Sequence, residues 1–261
     1  VSASAFQPQQ KSPNEALAWR RGPLRPRISP GEVHVWRAQL ARLADRSGLL
    51  SEAEHERERQ IVSERDRQLW ARSHSVLRVL LSRYLDVDPQ QVTLAIEPNG
   101  KPYLRRPGED QGARPPAQAR REPHETQALH FNMSHSGELA LYAFSSSWPV
   151  GVDVELAHVE GRRRDHVALA RRVFGEGEAR RLQGLSPAAR EREFLRLWTR
   201  HEAALKRVGR GIGAGGADAS GVDASGVEES AWIVELDLGA GAAAALAGER
   251  RVSALQAWSL S

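Results

Sequence analysis

Cysteine is missing from all 261 residues, which excludes a disulfide framework, cysteine-ligated zinc and thiol catalysis. Lysine is nearly missing too: Lys11, Lys101 and Lys206 are the only three, so the basic charge is almost all arginine. No apolar run approaches the ~20 residues that a membrane-spanning helix needs. The opening stretch, VSASAFQPQQKSPNEALAWRRGP, lacks the apolar segment of a secretory signal, and a cytoplasmic location is the expectation. The sequence also begins without Met, so residues upstream of Val1 are expected. An excess of one charge is absent as well. Lys and Arg number 37 against 33 Asp and Glu, and no stretch is uniformly basic. The isoelectric point of about 9.9 admits an Arg-rich nucleic-acid-binding protein. Acids interleaved with the arginines favour a solvated charged surface instead.

What is present is a core-forming fraction of 40% hydrophobic residues, in a length suited to one large domain or two small ones. Residues 1–30 are rich in Gln, Pro, Ser and Arg and read as a disordered lead. Val33 to Trp36 reads as a first strand. Ser51 with Glu54 fits a capping box opening a helix. A longer helix is expected from Ser63 to Leu85, with Leu69, Trp70, Val76, Leu77, Leu80, Leu81 and Tyr84 at helical spacing. Val92 to Ile96 is strand-like and is followed by turn residues at 98–100. Residues 105–128 have no apolar pattern and read as a disordered insert. Leu129 to Phe144 reads as two strands around Ser136-Gly137, and Val150 to Glu155 as another strand. Helices are expected at 163–173 and 187–208. A flexible loop is expected at 213–230, and closing strands at 232–238 and 254–260. The elements alternate irregularly, so the expected class is α+β.

Three constellations could carry chemistry. Asp153 and Glu155 lie two apart on an apolar strand, so both point to one face. They are either a pair of ligands for a hard divalent cation such as Mg²⁺, or an exposed pair on an edge strand. Glu202 and Lys206 are one helical turn apart, as a functional pair or as a surface pair contributing roughly 0.3–0.5 kcal/mol. Ser134-His135-Ser136 fits an anion-binding segment or a plain capped turn. A hydrolase triad is disfavoured, because no G-x-S-x-G elbow is present and adjacent Ser and His point to opposite faces. The glycines after residue 208 follow a helix instead of preceding one, which excludes a phosphate-cradling loop of the dinucleotide or P-loop kind.

Taken in order, Gly100-Lys-Pro102, Asn132-Met-Ser-His-Ser136, Gly151-Val-Asp-Val-Glu155, Phe174-x-x-x-Glu178 and Trp198-x-x-x-Glu202-x-x-x-Lys206 resemble the Sfp-type 4'-phosphopantetheinyl transferases. The resemblance spans roughly residues 33–260. It implies an α+β fold of two similar halves related by a pseudo-twofold axis, here 31–149 and 150–261, with the active site in the cleft between them. It implies Mg²⁺-dependent transfer of the 4'-phosphopantetheine arm of coenzyme A to a serine of an acyl or peptidyl carrier protein, with release of 3',5'-ADP by a monomer. By position, Asp153, Glu155 and Glu202 would bind the metal. Glu202 or Glu155 would act as base, and Lys101, Ser134, His135 and Lys206 would contact coenzyme A. Arg67 and Arg72 are assigned to its 3'-phosphate or adenine side. His201 stands where the family usually has Lys. An inactive binding protein retaining the fold is the remaining alternative.

Overall fold

Val33 and Val35 alternate with His34 and Trp36, and all four are buried, so the strand they form must be covered on both faces. That strand is β2 (Glu32–Gln39). The computed structural model describes residues 17–97, 100–105, 129–157, 165–209 and 231–260. In it β2 pairs antiparallel with β6 (Leu139–Ser145), which pairs antiparallel with β5 (His130–Ser136). On its other side β2 pairs parallel with β10 (Ala254–Leu260), and β1 (Arg20–Arg21) flanks β10. A hairpin of β3 (Leu94–Ile96) and β4 (Pro102–Leu104) stands apart. The second large sheet has β9 (Ala242–Gly248) at its centre, between β7 (Val150–Leu156) and β8 (Trp232–Glu235).

The helices complete four layers. Helix α1 (Glu52–Arg59) opens on the Ser51/Glu54 capping box, and α2 (Glu64–Leu85) is capped by the Ser63 side chain. Leu69, Val76, Leu77, Leu80 and Leu81 of α2 pack on Trp36, Tyr142 and Phe144 of the five-stranded sheet. The other face of that sheet, through Val33, Val35, Leu139 and Leu141, meets Val150, Val152, Val154 and Leu246 of the three-stranded sheet. Beyond it lies α5 (Pro187–Arg207), whose Ala203 and Ala204 pack on Ala245 and Ala247. Helices α3 (His166–Phe174) and α4 (Glu176–Gln183) cover the flank of α5 around Phe194. The class is α+β, as expected from sequence.

Several expectations change. Residues 17–30 are not a loose lead: Arg20–Arg21 extend the large sheet, and the Trp19 indole N–H donates to the Asp237 carbonyl at 2.7 Å. Residues 1–16 lie outside the described residues, as do 106–128 of the expected insert and the loop at 213–230. Strand β10, from the later part of the chain, inserts beside β2 in the first sheet. Strand β9 and helix α4 were not anticipated. Among the described residues no helix is long and apolar enough to cross a membrane.

His34 carries a prediction. Its Nδ1 lies 2.8 Å from the Tyr84 hydroxyl, and Trp258 packs edge-on at 4.4 Å between ring centroids. Burial pulls its pKa from 6.5 down to about 4, against the raising influence of Glu32. The folded state therefore holds the ring neutral while the unfolded chain takes up the proton. This stability is present above about pH 6.5 and is lost as pH falls towards 4. Moving from about pH 7 to 5 should remove on the order of 2 kcal/mol. Thermal melts across that range should fall, and His34→Gln should flatten the dependence. A wild-type melting temperature independent of pH would refute the assignment.

Candidate active site

The site is built where the two sheets meet edge to edge, and β7 shows why. Alternation sends Val150, Val152 and Val154 into the core between the sheets, and Gly151, Asp153 and Glu155 to the side of α5. A Cβ on Gly151 would lie 2.0 Å from the Ala203 carbonyl oxygen and 2.5 Å from the Arg207 backbone nitrogen. Only glycine lets α5 lie this close to the strand. That approach brings Lys206 onto Asp153, with Glu202 buried one turn before it on α5. Asp153 and Glu202 are both buried, at 4% and 5% exposure. An exposed acidic pair on an edge strand is thereby excluded for Asp153.

Strand β5 supplies the facing edge. Asn132, Ser134 and Ser136 share one face of it and join β7 through side chains, with no backbone ladder between the two strands. The Asn132 Oδ1 accepts from the Val152 N–H at 2.8 Å. The Ser134 hydroxyl donates to Asp153 Oδ1 at 2.8 Å, and the Ser136 hydroxyl donates to Glu155 Oε2 at 3.1 Å. Ser136 Oγ also accepts from the Leu156 N–H. The Lys206 ammonium donates to Asp153 Oδ1 at 2.6 Å and to Ser134 Oγ at 3.0 Å. Burial pushes the Asp153 carboxyl up, opposed by Lys206 and Ser134 and reinforced by Glu155.

The donor set fits a small hard cation. Asp153 Oδ2 is buried with no hydrogen-bond partner, a costly state for a carboxylate oxygen that a divalent ion relieves. Among the described residues no three acidic or imidazole groups form a ready-made cage. Magnesium suits such a site, because it binds through one or two carboxylates and takes its remaining ligands from water and phosphate. The Lys206 ammonium lies against Asp153 as a cation would.

His135, between the two serines, points to the opposite face, towards α2. Burial lowers its pKa first, and the charges of His74 and Lys206 lower it further. Its Nδ1 is buried without a partner. His74 stacks on Trp70 with 3.8 Å between ring centroids. Behind His74, Glu54 forms an ion pair with Arg78 at 2.7 Å, and Arg78 also donates to the Val92 carbonyl at 2.9 Å. Burial would raise Glu54, but His74, Ser51 and Arg78 hold it down to about 2. Burial pushes His74 down, with Glu54 opposing and Arg57 and Arg78 adding to the effect. Arg57 stands beside the turn at Gly100, where a Cβ would come within 3.7 Å of its Nη2. An anion arriving beside these two imidazoles would favour their charged forms, against the burial that opposes them.

The residues singled out from sequence divide accordingly. Asp153, Glu155, Ser134 and Lys206 lie at the seam between β5, β7 and α5, Glu202 is buried one turn before Lys206, and His135 lies behind the seam. Lys101 reaches α5, but its ammonium donates to the Lys206 carbonyl at 2.7 Å and the Arg207 carbonyl at 3.3 Å. It caps the helix C-terminus, a natural place for a cation. Burial pulls it down to about 8, with Glu97 opposing. Arg72 lies on the side of α2 away from His135, whereas Arg67 shares the helix face of His74. Arg67 pairs with Glu64, and Arg72 donates to the Leu40 carbonyl at 3.4 Å on the far side of α2. Arg57 and His74 were missed: Arg57 is one of many arginines, and only the fold brings His74 near His135. His201 is buried, its ring meeting Phe174 nearly perpendicular at 5.5 Å. It closes α3 onto α5.

Many surface arginines pair with acids, as in Arg59–Glu52, Arg171–Glu176 and Arg196–Glu193, each within 3.0 Å. This is the interleaved surface expected from sequence.

Comparison with known proteins points the same way. Residues 149–248 match the 4'-phosphopantetheinyl transferase superfamily, and residues 34–147 match the 4'-phosphopantetheinyl transferase N-terminal family. The matches divide at the turn between β6 and β7. The chain is 32% identical to the 4'-phosphopantetheinyl transferase HetI of Nostoc sp., over 69% of this chain and 70% of that protein. It is 33% identical to slr0495 of Synechocystis sp., a putative 4'-phosphopantetheinyl transferase by name, over 64% of this chain and 60% of that protein. With the 4'-phosphopantetheinyl transferase of Bacillus subtilis the identity is 26%, over 52% of this chain and 50% of that one.

Proposed function

The chain belongs to the 4'-phosphopantetheinyl transferase superfamily, and on that premise we propose that it moves the 4'-phosphopantetheine arm of coenzyme A to a serine of an acyl or peptidyl carrier protein. The observation that supports the proposal is the bond from Lys206 on α5 to Asp153 on β7, permitted by Gly151. Asp153, Glu155 and Glu202 would hold magnesium, which when bound supplies charge neutralisation at the pyrophosphate. Lys206 exchanges its bond to Asp153 for one to phosphate oxygen. His135, with His74 and Arg57 around it, takes the 3'-phosphate side. Lys101 is a positioning residue that ties the β3–β4 hairpin to the end of α5. The carrier serine oxygen attacks the phosphorus that bears the pantetheine arm. The bond from that phosphorus to the oxygen of the departing nucleotide breaks, and 3',5'-ADP leaves. The serine proton passes to Glu202 or Glu155, whose oxygens serve as base or ligand. One chain contributes both edges of the seam, so a monomer suffices.

The exchange at Lys206 gives a test independent of turnover. Lys206→Ala leaves the buried Asp153 carboxylate without its ammonium, which should destabilise the protein by about 1–3 kcal/mol in cation-free buffer. Magnesium should restore part of the lost melting temperature in this variant and do little for the wild type. Equal magnesium responses in both would contradict cation binding at Asp153. For the reaction itself, 3',5'-ADP should appear only when coenzyme A and an apo carrier protein are both present, and chelation should stop it. Release without a carrier would point to hydrolysis.

A further inference from the structure

On the side of α2 turned away from His135, the helix, the segment at 43–46 and the end of β10 border an open groove. Its floor is apolar, with Leu43, Val79 and Leu260, and three guanidinium groups stand around it: Arg46, Arg72 and Arg83. Among the described residues no carboxylate pairs with any of the three. Arg72 is bonded to a backbone carbonyl, and Arg83 lies 5.8 Å over the Trp36 ring. The Asp45 carboxylate, next in sequence to Arg46, accepts from the Ser47 N–H. Burial pushes the Arg83 guanidinium down, and the charge of Arg46 adds to it. Like charges are thus gathered at a partly desolvated spot without an acid, in a chain whose surface arginines elsewhere commonly pair with one.

We propose that this groove is a second ligand site, separate from the transferase seam, for a small amphipathic anion: a carboxylate or phosphate head on an apolar chain. The head lies among the guanidiniums, whose forked donors match planar or tetrahedral oxyanions. The chain lies on Leu43, Val79 and Leu260. A bare inorganic anion would leave the apolar floor wet, and a neutral alkane would leave the charges unbalanced.

The test is calorimetric titration of the whole protein with octanoate and, separately, octyl phosphate, with acetate, inorganic phosphate and octanol as controls. At least one of the two amphiphiles should bind saturably, at least about tenfold more tightly than its short counterpart, and octanol should not bind. The tighter of the two identifies the head group. Arg46→Gln and Arg83→Gln should each weaken binding roughly tenfold, the loss of one charge-assisted contact. Arg46 is exposed, so its variant folds even if Arg83→Gln, which loses packing on Trp36, does not. Carrier modification by Arg46→Gln should match wild type. Acetate binding as tightly as octanoate, octanol binding equally, saturable binding of neither amphiphile, or binding unaffected by Arg46→Gln would each overturn the proposal.

Discussion

Asp153→Asn is expected to reduce carrier modification by roughly a thousandfold, about 4 kcal/mol of transition-state stabilisation, while leaving the protein folded. The amide keeps an oxygen to accept from Ser134 and Lys206, so the hydrogen bonds that join β5 to β7 and α5 survive. What is lost is the negative charge at Oδ2, the buried oxygen without a partner. Removing a buried carboxylate whose pKa is already raised costs the fold little, and Lys206, a quarter exposed, can turn its ammonium to water on its flexible stem. Steady-state kinetics and thermal melts together read the two effects. A variant that retains near-wild-type turnover would remove Asp153 from the chemistry, and one that fails to fold would make it a structural residue.

Gly151→Ala should have the largest effect on stability. The new Cβ would meet backbone atoms of α5 on two sides, at 2.0 and 2.5 Å, and neither can rotate away. Overpacking of this kind costs about 3 kcal/mol or more, because helix and strand must part. Glu202 and Lys206 ride on α5, so transfer should fall with stability and remain low well below the melting temperature. Gly177, inside α4, is the contrast: a Cβ added there would have no neighbour within 4 Å. Gly177→Ala should stabilise by about 0.5–1 kcal/mol and leave transfer alone. Urea unfolding of the two variants separates steric conflict from backbone entropy: equal small effects would show that α5 does not depend on the missing side chain.

The sequence was most legible where periodicity and capping act locally. The Ser51/Glu54 box, the apolar stripe of α2 and the alternation of β7 each lead directly to the observed element. It was least legible where packing overrides propensity. Strand β9 reads AAAALAG, a composition that favours helix by itself. It is a strand because its small side chains let α5 pack tightly on one face while Ala244 and Leu246 fill the core on the other. Helix α4 has few apolar residues to mark it. The insertion of β10 beside β2 is a long-range pairing with no local signature. At the site, two-residue spacing places Asp153 and Glu155 on one face. Nothing local says that Lys206 reaches Asp153, that Lys101 caps α5, or that Arg72 faces the wrong side of its helix. Those depend on how the layers stack.

The most direct test of the account is the intact mass of an apo carrier protein after incubation with coenzyme A, magnesium and this chain. The account predicts a gain equal to one phosphopantetheine arm, located on a single serine by fragmentation, present with the wild type and missing with Asp153→Asn. A carrier mass that stays unchanged across fatty-acid, polyketide and non-ribosomal-peptide carriers, with a folded wild-type protein that binds coenzyme A, would contradict it.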